Sequence, residues 1–183
     1  MLSAAGCRPV VMVVPTDALE EARTIAELFD RVRVTTGGDT RQRSVGNGLA
    51  SIGAEVVVVH DAARPFATPQ DVHDVVAALD EADAALSAVP VDETLKQVEG
   101  RRVIETVDRS TLWRALTPQA FRAVTLRDAH RRAADEGFEA TDDAQLIERY
   151  GGVVTVVHGS TRNLKLTRPE DFALAEAMLS ART

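Results

Sequence analysis

Several things are scarce in this sequence, and each scarcity excludes a class of protein. There is one cysteine, Cys7, so no disulfide can form within the chain, which favours a reducing, cytoplasmic setting. No apolar run has the length of a membrane span. The net charge of −7 argues against general nucleic-acid binding, which needs a basic face. We therefore expect a cytoplasmic protein that binds neither membranes nor nucleic acids.

Lysine is also rare: only Lys96 and Lys165 occur among 21 basic residues. An acidic protein can still hold a small anionic ligand in a local basic pocket, so each lysine is a candidate for that role. The chain has 183 residues, of which 45% are hydrophobic and 27% charged. These values are typical of one globular domain with a real core, and we expect a single domain over residues 1–183.

Apolar runs alternate with stretches of helical spacing. Strands are predicted at 9–15, 31–36, 55–60, 84–91 and 153–159, and helices at 17–29, 41–53, 68–83, 122–136, 142–150 and 167–179. Alternation of this kind predicts parallel strands with helices on both faces, and the valine runs are typical of strands buried on both sides. The expected fold class is α/β, a Rossmann-like, mostly parallel sheet.

Some boundaries carry capping signals. Thr68 precedes Pro69 as an N-cap, Thr167 and Glu170 have the spacing of a capping box, and Gly137 is expected to end a helix. The alternation breaks at "TLKQV" and "RVIETV", which flank "EGR" and predict a β-hairpin with a glycine turn. Its polar composition suggests that the hairpin projects from the sheet.

The stretch "VVVVHDAARPF" places Asp61 and Arg64 directly after a buried strand. Ligands of open α/β sheets bind at the carboxyl ends of the strands. A carboxylate there suits Mg²⁺ bound together with substrate phosphates, and Arg64 suits an anionic group. The residues alone leave a second interpretation open, in which Asp61 only stabilises a turn.

Three other loops carry candidate residues. "TTGGDTRQRS" places Gly38, Asp39 and Ser44 between a strand and a helix start, where backbone amides can meet an anion or the aspartate can accept from a cytosine amino group. In "EATDDAQ", Thr141 is most simply a helix N-cap. Lys165 lies in a short extended stretch, as a surface charge or a phosphate-neutralising group. Together these loops predict a site for phosphorylated substrates and a divalent metal.

The segments "GGDTRQRSVGNGL", "VVHDAARPF", "PVDETLKQV", "TVDRSTLWRALTPQAF", "ATDDAQLIERYG" and "NLKLTRPEDFALAEAML" resemble, in order, the 2-C-methyl-D-erythritol 4-phosphate cytidylyltransferase family of the non-mevalonate isoprenoid pathway. The resemblance implies a nucleotide-diphospho-sugar transferase type of fold. It also implies transfer of CMP from CTP to methylerythritol phosphate, with Mg²⁺ or another divalent cation present and pyrophosphate released. The protein would act by positioning the reactants and neutralising charge.

The resemblance also assigns residues. It implies that Gly38, Asp39, Ser44 and Ala62 contact the nucleotide and that Asp61 lies near the metal. It implies that Arg64, Thr141 and Lys165 face methylerythritol phosphate, with Asp61, Lys165 and Arg109 as the catalytic set. Thr94 and Arg109 lie at the root of the hairpin, an arm at about 92–110 that would interlock with a second subunit of a homodimer and complete the partner's site.

The resemblance is incomplete at the N-terminus. The family begins with a strand, a glycine-rich loop of the form PAAGxGxR and a lysine, and "SAAGCR" followed by "PVVMVVP" does not supply them. We expect a chain truncated relative to the family, which is either part of a longer native protein or an inactive paralogue. Two alternatives to the family's reaction stay open: a cytidylyltransferase for another polyol phosphate such as ribitol 5-phosphate, and a non-catalytic domain that dimerises or binds ligand.

Overall fold

The computed structural model describes residues 1–181. Its strands are β1 (Val10–Val14), β2 (Val32–Thr36), β3 (Val56–Val59), β4 (Ala84–Pro90), β5 (Lys96–Glu99), β6 (Arg102–Thr106), β7 (Trp113–Arg122) and β8 (Val154–His158). Its α-helices are α1 (Leu19–Ala26), α2 (Arg41–Ala50), α3 (Pro69–Ala77), α4 (Ala123–Glu136), α5 (Asp143–Arg149) and α6 (Pro169–Ser180). Short 3-10 turns precede α1 and follow α3. The alternation predicted from the sequence is confirmed.

Three groups of strands form by hydrogen bonding. β1 and β2 are a parallel pair, β5 and β6 are an antiparallel hairpin, and the remaining strands form a sheet of order β3–β7–β4–β8. Within that sheet β4 and β8 are parallel, whereas β7 runs antiparallel to both its neighbours. The fold is thus α/β with a mixed sheet and a hairpin.

β7 was not predicted, and it occupies the centre of the sheet. Its segment "WRALTPQAFR" lacks both alternation and an apolar run, and it contains Pro118, which cannot donate to a ladder. The register between β4 and β7 shifts between Leu86 and Ala88, opposite this proline. The irregular pairing allows a proline in a central strand, a position that propensity argues against.

The core lies between the sheet and its helices. On one face, α4 and α5 bury Leu126, Leu146 and Ile147 against Phe121 of β7. On the other face, Val75 of α3 and Leu79 of the 3-10 turn that follows it pack on Ala85 and Ala120. These helices hold the strand ends rigidly, and the strand ends carry the candidate site.

One predicted helix start is confirmed and another differs. α3 begins at Thr68 with a capping box to Asp71, as predicted for the N-cap. At α6, however, Asp171 rather than Glu170 accepts the backbone amides of Thr167 and Arg168. The predicted pair was therefore wrong by one position, because proline at N1 moves the cap to Arg168. α4 ends at Gly137, whose φ of 64° is the left-handed value that glycine adopts without strain.

Candidate active site

Asp61 lies just past the carboxyl end of β3 and is surrounded by cations. Its side chain is 16% exposed, and Oδ2 lies 2.9 Å from Lys165 Nζ and 3.7 Å from Arg64 Nε. Oδ1 lies 3.6 Å from Arg41 Nε. The sequence predicted one site that contains Asp61, Arg64 and Lys165. The structure brings these side chains together, although Lys165 follows Asp61 by 104 positions in the chain (165 − 61).

These charges determine the ionisation of Asp61. Burial alone would raise the pKa of its carboxyl group, but the hydrogen bond and charge of Lys165 and the charges of Arg41 and Arg64 outweigh burial and hold the pKa below its usual value. Burial lowers the pKa of the Arg64 guanidinium, yet an arginine stays charged at any physiological pH. The Asp61 carboxylate is therefore ionised among three cations, Lys165, Arg64 and Arg41.

Hydrogen bonds fix the loop that carries Asp61. Thr117 Oγ1 accepts from the backbone N–H of Asp61 at 3.0 Å and contacts His60 Nδ1 at 3.0 Å. Arg64 Nη1 donates to the carbonyl of Asn163 at 2.8 Å, and buried Asn163 donates to the carbonyl of Thr117 at 2.8 Å. The loop of Asp61 and the loop of Lys165 are thereby fastened to the same strand, β7.

Arg41 is a site residue that the sequence analysis did not identify. It opens α2, and its Nη1 lies 2.7 Å from Oδ2 of Asp143, which is 1% exposed. His130 Nε2 lies 3.0 Å from the other oxygen of Asp143. Burial would lower the pKa of Arg41, but Asp143 outweighs burial and raises it. The sequence offered no local signal for Arg41, because an aspartate in the first turn of a helix, as Asp143 is in α5, is an ordinary feature of a helix start.

The loop between β2 and α2 is shaped by glycine. The backbone N–H of Gly38 donates to Ser44 Oγ at 3.1 Å, and a Cβ at Gly38 would lie 2.5 Å from Cβ of Arg43. Asp39 is exposed and pairs with Arg43 through both oxygens at 3.0 Å. The predicted set of Gly38, Asp39 and Ser44 forms one loop next to Arg41, and Asp39 points into solvent.

Thr141 lies just before α5, and Ala62 directly follows Asp61 in the chain. The N-cap of α5 is Asp142, whose side chain accepts from the backbone N–H of Gln145. The prediction that Thr141 caps this helix was therefore wrong. Instead, the backbone N–H of Thr141 donates to Gln145 Oε1 at 2.8 Å. Ala62 lines a cavity that begins beside Asp61.

Thr94 and Arg109 are not part of this cluster within one chain. Arg109 donates to the backbone carbonyl of Asp92 at the root of the β5–β6 hairpin. Across residues 1–181, neither Thr94 nor Arg109 bonds to Asp61, Arg64 or Lys165. Every residue of β5 and β6 is exposed, so the hairpin projects from the body as expected.

A cavity of about 580 Å³ runs between β1 and β3. Valines of both strands and apolar residues of α2 and α3 line most of it, and Arg41, Ser44 and Asp61 lie at one end.

The described residues hold no group of three or more histidine, cysteine, aspartate or glutamate side chains able to bind a metal alone. They include no helix long and apolar enough to cross a bilayer. Chemically, the cation cluster suits phosphate groups, and a metal here would need most of its ligands from such a substrate.

Comparison with known proteins agrees with this geometry. The family model described as 2-C-methyl-D-erythritol 4-phosphate cytidylyltransferase matches residues 1–181. A protein of that name from Bacillus velezensis is 46% identical over 184 residues, covering 98% of this chain and 79% of the relative. A namesake from Aquifex aeolicus is 42% identical over 170 residues, covering 93% of this chain and 78% of the relative.

Solved structures give the same result. The chain superimposes on 2-C-methyl-D-erythritol 4-phosphate cytidylyltransferase from Thermus thermophilus with a TM-score of 0.84 and 36% identity, covering 98% of this chain and 86% of the other. With 4-diphosphocytidyl-2C-methyl-D-erythritol synthase from Anaerococcus prevotii the TM-score is 0.91 at 30% identity, with coverage of 98% and 85%. The family model over residues 1–181, the curated relatives and the shared fold together show that the chain belongs to the 2-C-methyl-D-erythritol 4-phosphate cytidylyltransferase family of nucleotidyltransferases.

Proposed function

We propose that this protein transfers CMP from CTP to 2-C-methyl-D-erythritol 4-phosphate and releases pyrophosphate. The observation that carries the proposal is the cluster of Asp61 with Lys165, Arg64 and Arg41 at the carboxyl end of β3. In the reaction a phosphate oxygen of methylerythritol phosphate attacks the α-phosphorus of CTP, and the bond from that phosphorus to the bridging oxygen of pyrophosphate breaks. Both reactants are anions, so fixed cations lower the cost of bringing them together.

Lys165 and Arg64 are placed to hold the attacking phosphate. Lys165 is 42% exposed, so its ammonium can exchange Asp61 for a substrate oxygen without leaving solvent contact. Arg64 is 11% exposed and held by the Asn163 carbonyl, while its Nε makes no hydrogen bond among the described residues. A buried donor without a hydrogen-bond acceptor suits a phosphate oxygen. Thr141, which lies just before α5, completes the polyol side of the site in this proposal.

The β2–α2 loop is placed to hold the nucleotide. Gly38 and Ser44 bring backbone close to the cavity end, and Asp39 offers an acceptor for the cytosine amino group. Ala62 lies where a larger side chain would narrow the cavity. In this arrangement the base lies on the side of α2 and the phosphates point to Arg41 and Asp61.

A divalent cation, with Mg²⁺ our choice, fits Asp61. Mg²⁺ in such enzymes takes one or two carboxylates and fills its shell with substrate phosphates and water. Asp61 is the carboxylate of the cluster that remains partly exposed, since Asp143 is 1% exposed and engaged by Arg41 and His130. Bound there, the ion would neutralise charge on the triphosphate. Asp61 would hold the ion, and Lys165 would move from Asp61 to phosphate.

The working form in this proposal is a homodimer with exchanged arms. β5 and β6 expose Val98, Val103 and Ile104 by 57%, 54% and 50%, an apolar surface on a projecting element that typically marks an interface. Thr94 and Arg109 at its root would then enter the partner's site. Cys7 as the sole cysteine supports placing the enzyme in the reducing cytoplasm.

The direct test is pyrophosphate release by the purified protein with CTP, Mg²⁺ and methylerythritol phosphate, measured beside the Bacillus velezensis relative. Turnover that requires both substrates supports the proposal. An inactive chain beside an active relative contradicts it. Turnover with ribitol 5-phosphate but not methylerythritol phosphate would retain the nucleotidyl transfer and change the acceptor.

One observation favours a second candidate function. The cavity of about 580 Å³ between β1 and β3 is lined at one end by Arg41, Ser44 and Asp61, so a space that can hold a ligand adjoins the cluster. A domain that dimerises and binds ligand without turnover would show CTP binding by calorimetry and no pyrophosphate release. The same protein preparation decides between the two functions.

A further inference from the structure

The His60 ring bridges strand β7 and the loop that carries Asp61 and Arg64. His60 directly follows β3, and its side chain is half-buried. One ring nitrogen, Nδ1, lies 3.0 Å from Thr117 Oγ1, and the other, Nε2, lies 3.1 Å from the backbone carbonyl oxygen of Arg64. Both ends of the ring are therefore engaged, one by β7 and the other by the far end of the loop.

The partners of the ring determine which nitrogen carries the hydrogen. A carbonyl oxygen can only accept, so Nε2 carries a hydrogen and donates it to Arg64. Thr117 Oγ1 accepts from the backbone N–H of Asp61 at 3.0 Å, and Thr117 is 4% exposed. Among the described residues, His60 Nδ1 is the acceptor within reach of the Thr117 hydroxyl hydrogen. A bare Nδ1 and a hydrogen on Nε2 make the ring neutral, and burial favours this form because it lowers the pKa of His60.

The hydrogen bonds form one directed chain around the loop. The backbone N–H of Asp61 donates to Thr117, the Thr117 hydroxyl donates to His60, and His60 donates to the carbonyl of Arg64. The backbone N–H of Arg64 closes the turn by donating to the carbonyl of Asp61 at 2.9 Å. Hydrogen bonds in such a chain polarise and strengthen one another. The backbone of the loop is thus fixed both at Asp61 and at Arg64.

The loop that carries Lys165 is attached to the same turn. The backbone N–H of Leu166 donates to the carbonyl of Ala63 at 2.8 Å, and Arg64 Nη1 donates to the carbonyl of Asn163 at 2.8 Å. Lys165 lies between these two attachments in the chain. Any displacement of the ring would therefore be passed to both loops and to the charged side chains that they carry.

We propose that His60 is a positioning residue for nucleotidyl transfer, whose neutral ring fixes the turn so that the Asp61 carboxylate and the Arg64 guanidinium face the reacting phosphates together. This inference rests on the proposed function, because it names the residue that orients the charged groups used there. In this role the ring contacts neither substrate and neither gives nor takes a proton. A misplacement of about 1 Å can cost about 100-fold in rate, so the effect of losing the ring falls on kcat.

Substitutions of His60 separate a positioning role from a purely structural one. His60→Phe keeps a ring and removes both hydrogen bonds. We expect it to lower kcat at least about tenfold, because the turn is no longer fixed. The KM for CTP should change less than about threefold, the pattern of a change that acts on the transition state. His60→Asn should recover part of kcat, since its amide oxygen can accept from Thr117 in place of Nδ1.

A matched control makes the same substitution elsewhere. His73 is exposed on α3, and His73→Phe should leave kcat near that of the parent protein. A loss of kcat in His73→Phe equal to that in His60→Phe would overturn the proposal, because replacement of any histidine would then have the same effect.

A double-mutant cycle tests whether Thr117 and His60 act through one chain. Thr117→Val removes the hydroxyl and keeps the shape of the side chain. The double variant with His60→Phe should lose about as much kcat as the worse single variant, because either change breaks the same chain. Losses that multiply would mean independent roles and would overturn the proposal.

Two measurements need no substrate and so separate this proposal from the transfer reaction. ¹⁵N NMR of the native protein should show hydrogen on Nε2 of His60 and a bare Nδ1, with the signals assigned by their loss in His60→Asn. Hydrogen exchange of the Asp61 amide should be at least about tenfold faster in His60→Phe, whereas that of buried Val75 should be unchanged.

The outcomes distinguish the two proposals. A parent protein without turnover contradicts the transfer reaction, and the ring hydrogens and the Asp61 exchange then still decide whether His60 fixes the turn. Hydrogen on Nδ1, or an Asp61 amide that exchanges equally in parent and His60→Phe, would overturn the inference. In an active parent, a His60→Phe variant with normal kcat would overturn it as well.

Discussion

Lys165 has the shortest contact with Asp61, and the two side chains belong to loops that meet only in the folded chain. We predict that Lys165→Ala lowers turnover about tenfold or more while leaving the dimer intact, because a fixed cation is lost where phosphate charge gathers. Steady-state rates would check the loss of turnover, and sedimentation velocity would check that the dimer is intact. Replacement of Lys96, the other lysine, is the control and should leave kcat near normal.

The Lys165→Ala variant should also change the pH at which Asp61 titrates. The pKa of Asp61 is held down in the native protein, so the stability it contributes is present above its ordinary pKa of 3.8 and is lost as the pH falls through the lowered value. Lys165→Ala should raise the pKa of Asp61, because burial then acts with one opposing charge fewer. Carboxyl NMR titration would detect the change, and an unmoved Asp61 titration would argue against the pair.

Asp143 shows how burial changes the contribution of a charged side chain to the free energy of unfolding. At 1% exposure it faces Arg41 and His130, so its removal leaves Arg41 without its nearest partner. We predict that Asp143→Ala lowers the free energy of unfolding by about 3 kcal/mol. Asp39, 68% exposed and paired with Arg43, is the matched control and should cost less than about 1 kcal/mol. Urea unfolding would compare the two, and equal costs would contradict the reasoning.

At the scale of elements, the sequence predicted what is local and missed what depends on distant partners. The valine strands, the Thr68 cap and the glycine turn of the hairpin follow from short-range patterns. Asp61 and Arg64 follow from their position after a strand, whereas Lys165 was a candidate because lysine is rare and because of the family resemblance. β7 has no such pattern, because its burial comes from strands on both sides rather than from its own spacing. Arg41 was missed for the same reason, since its partner Asp143 is 102 residues away.

The β5–β6 hairpin is the element to which the proposed homodimer gives a role in the second chain. Its two strands pair with each other and expose every residue. We predict that Val103→Asp shifts the protein from dimer to monomer, because a charge enters the apolar face of the arm. Arg102→Asp on the same strand is a control for added negative charge. Sedimentation velocity would report the change, and a thermal unfolding midpoint close to that of the parent would show that the body is intact.

At the scale of the whole molecule, the proposed exchange of arms would make each site a product of two chains. Arg109→Ala and Asp61→Ala should each inactivate a homodimer, whereas a mixed dimer places both defects in one composite site and leaves the other intact. We predict recovery of part of the activity in isolated heterodimers, measured by pyrophosphate release. Homodimers of each variant carried through the same mixing are the control, and heterodimers without activity would contradict exchange of the arm.

The scarcity of lysine has a practical consequence for following such an assembly. Lys165 forms an ion pair with Asp61 in the body of the protein. Lys96 donates a hydrogen bond to Thr106 Oγ1 at 2.6 Å on the hairpin. A protein labelled with a stable isotope in lysine alone therefore carries two side-chain reporters, one for substrate arrival and one for arm docking. Substrate and subunit association can thus be followed at the same time, in one spectrum, without introducing a foreign probe.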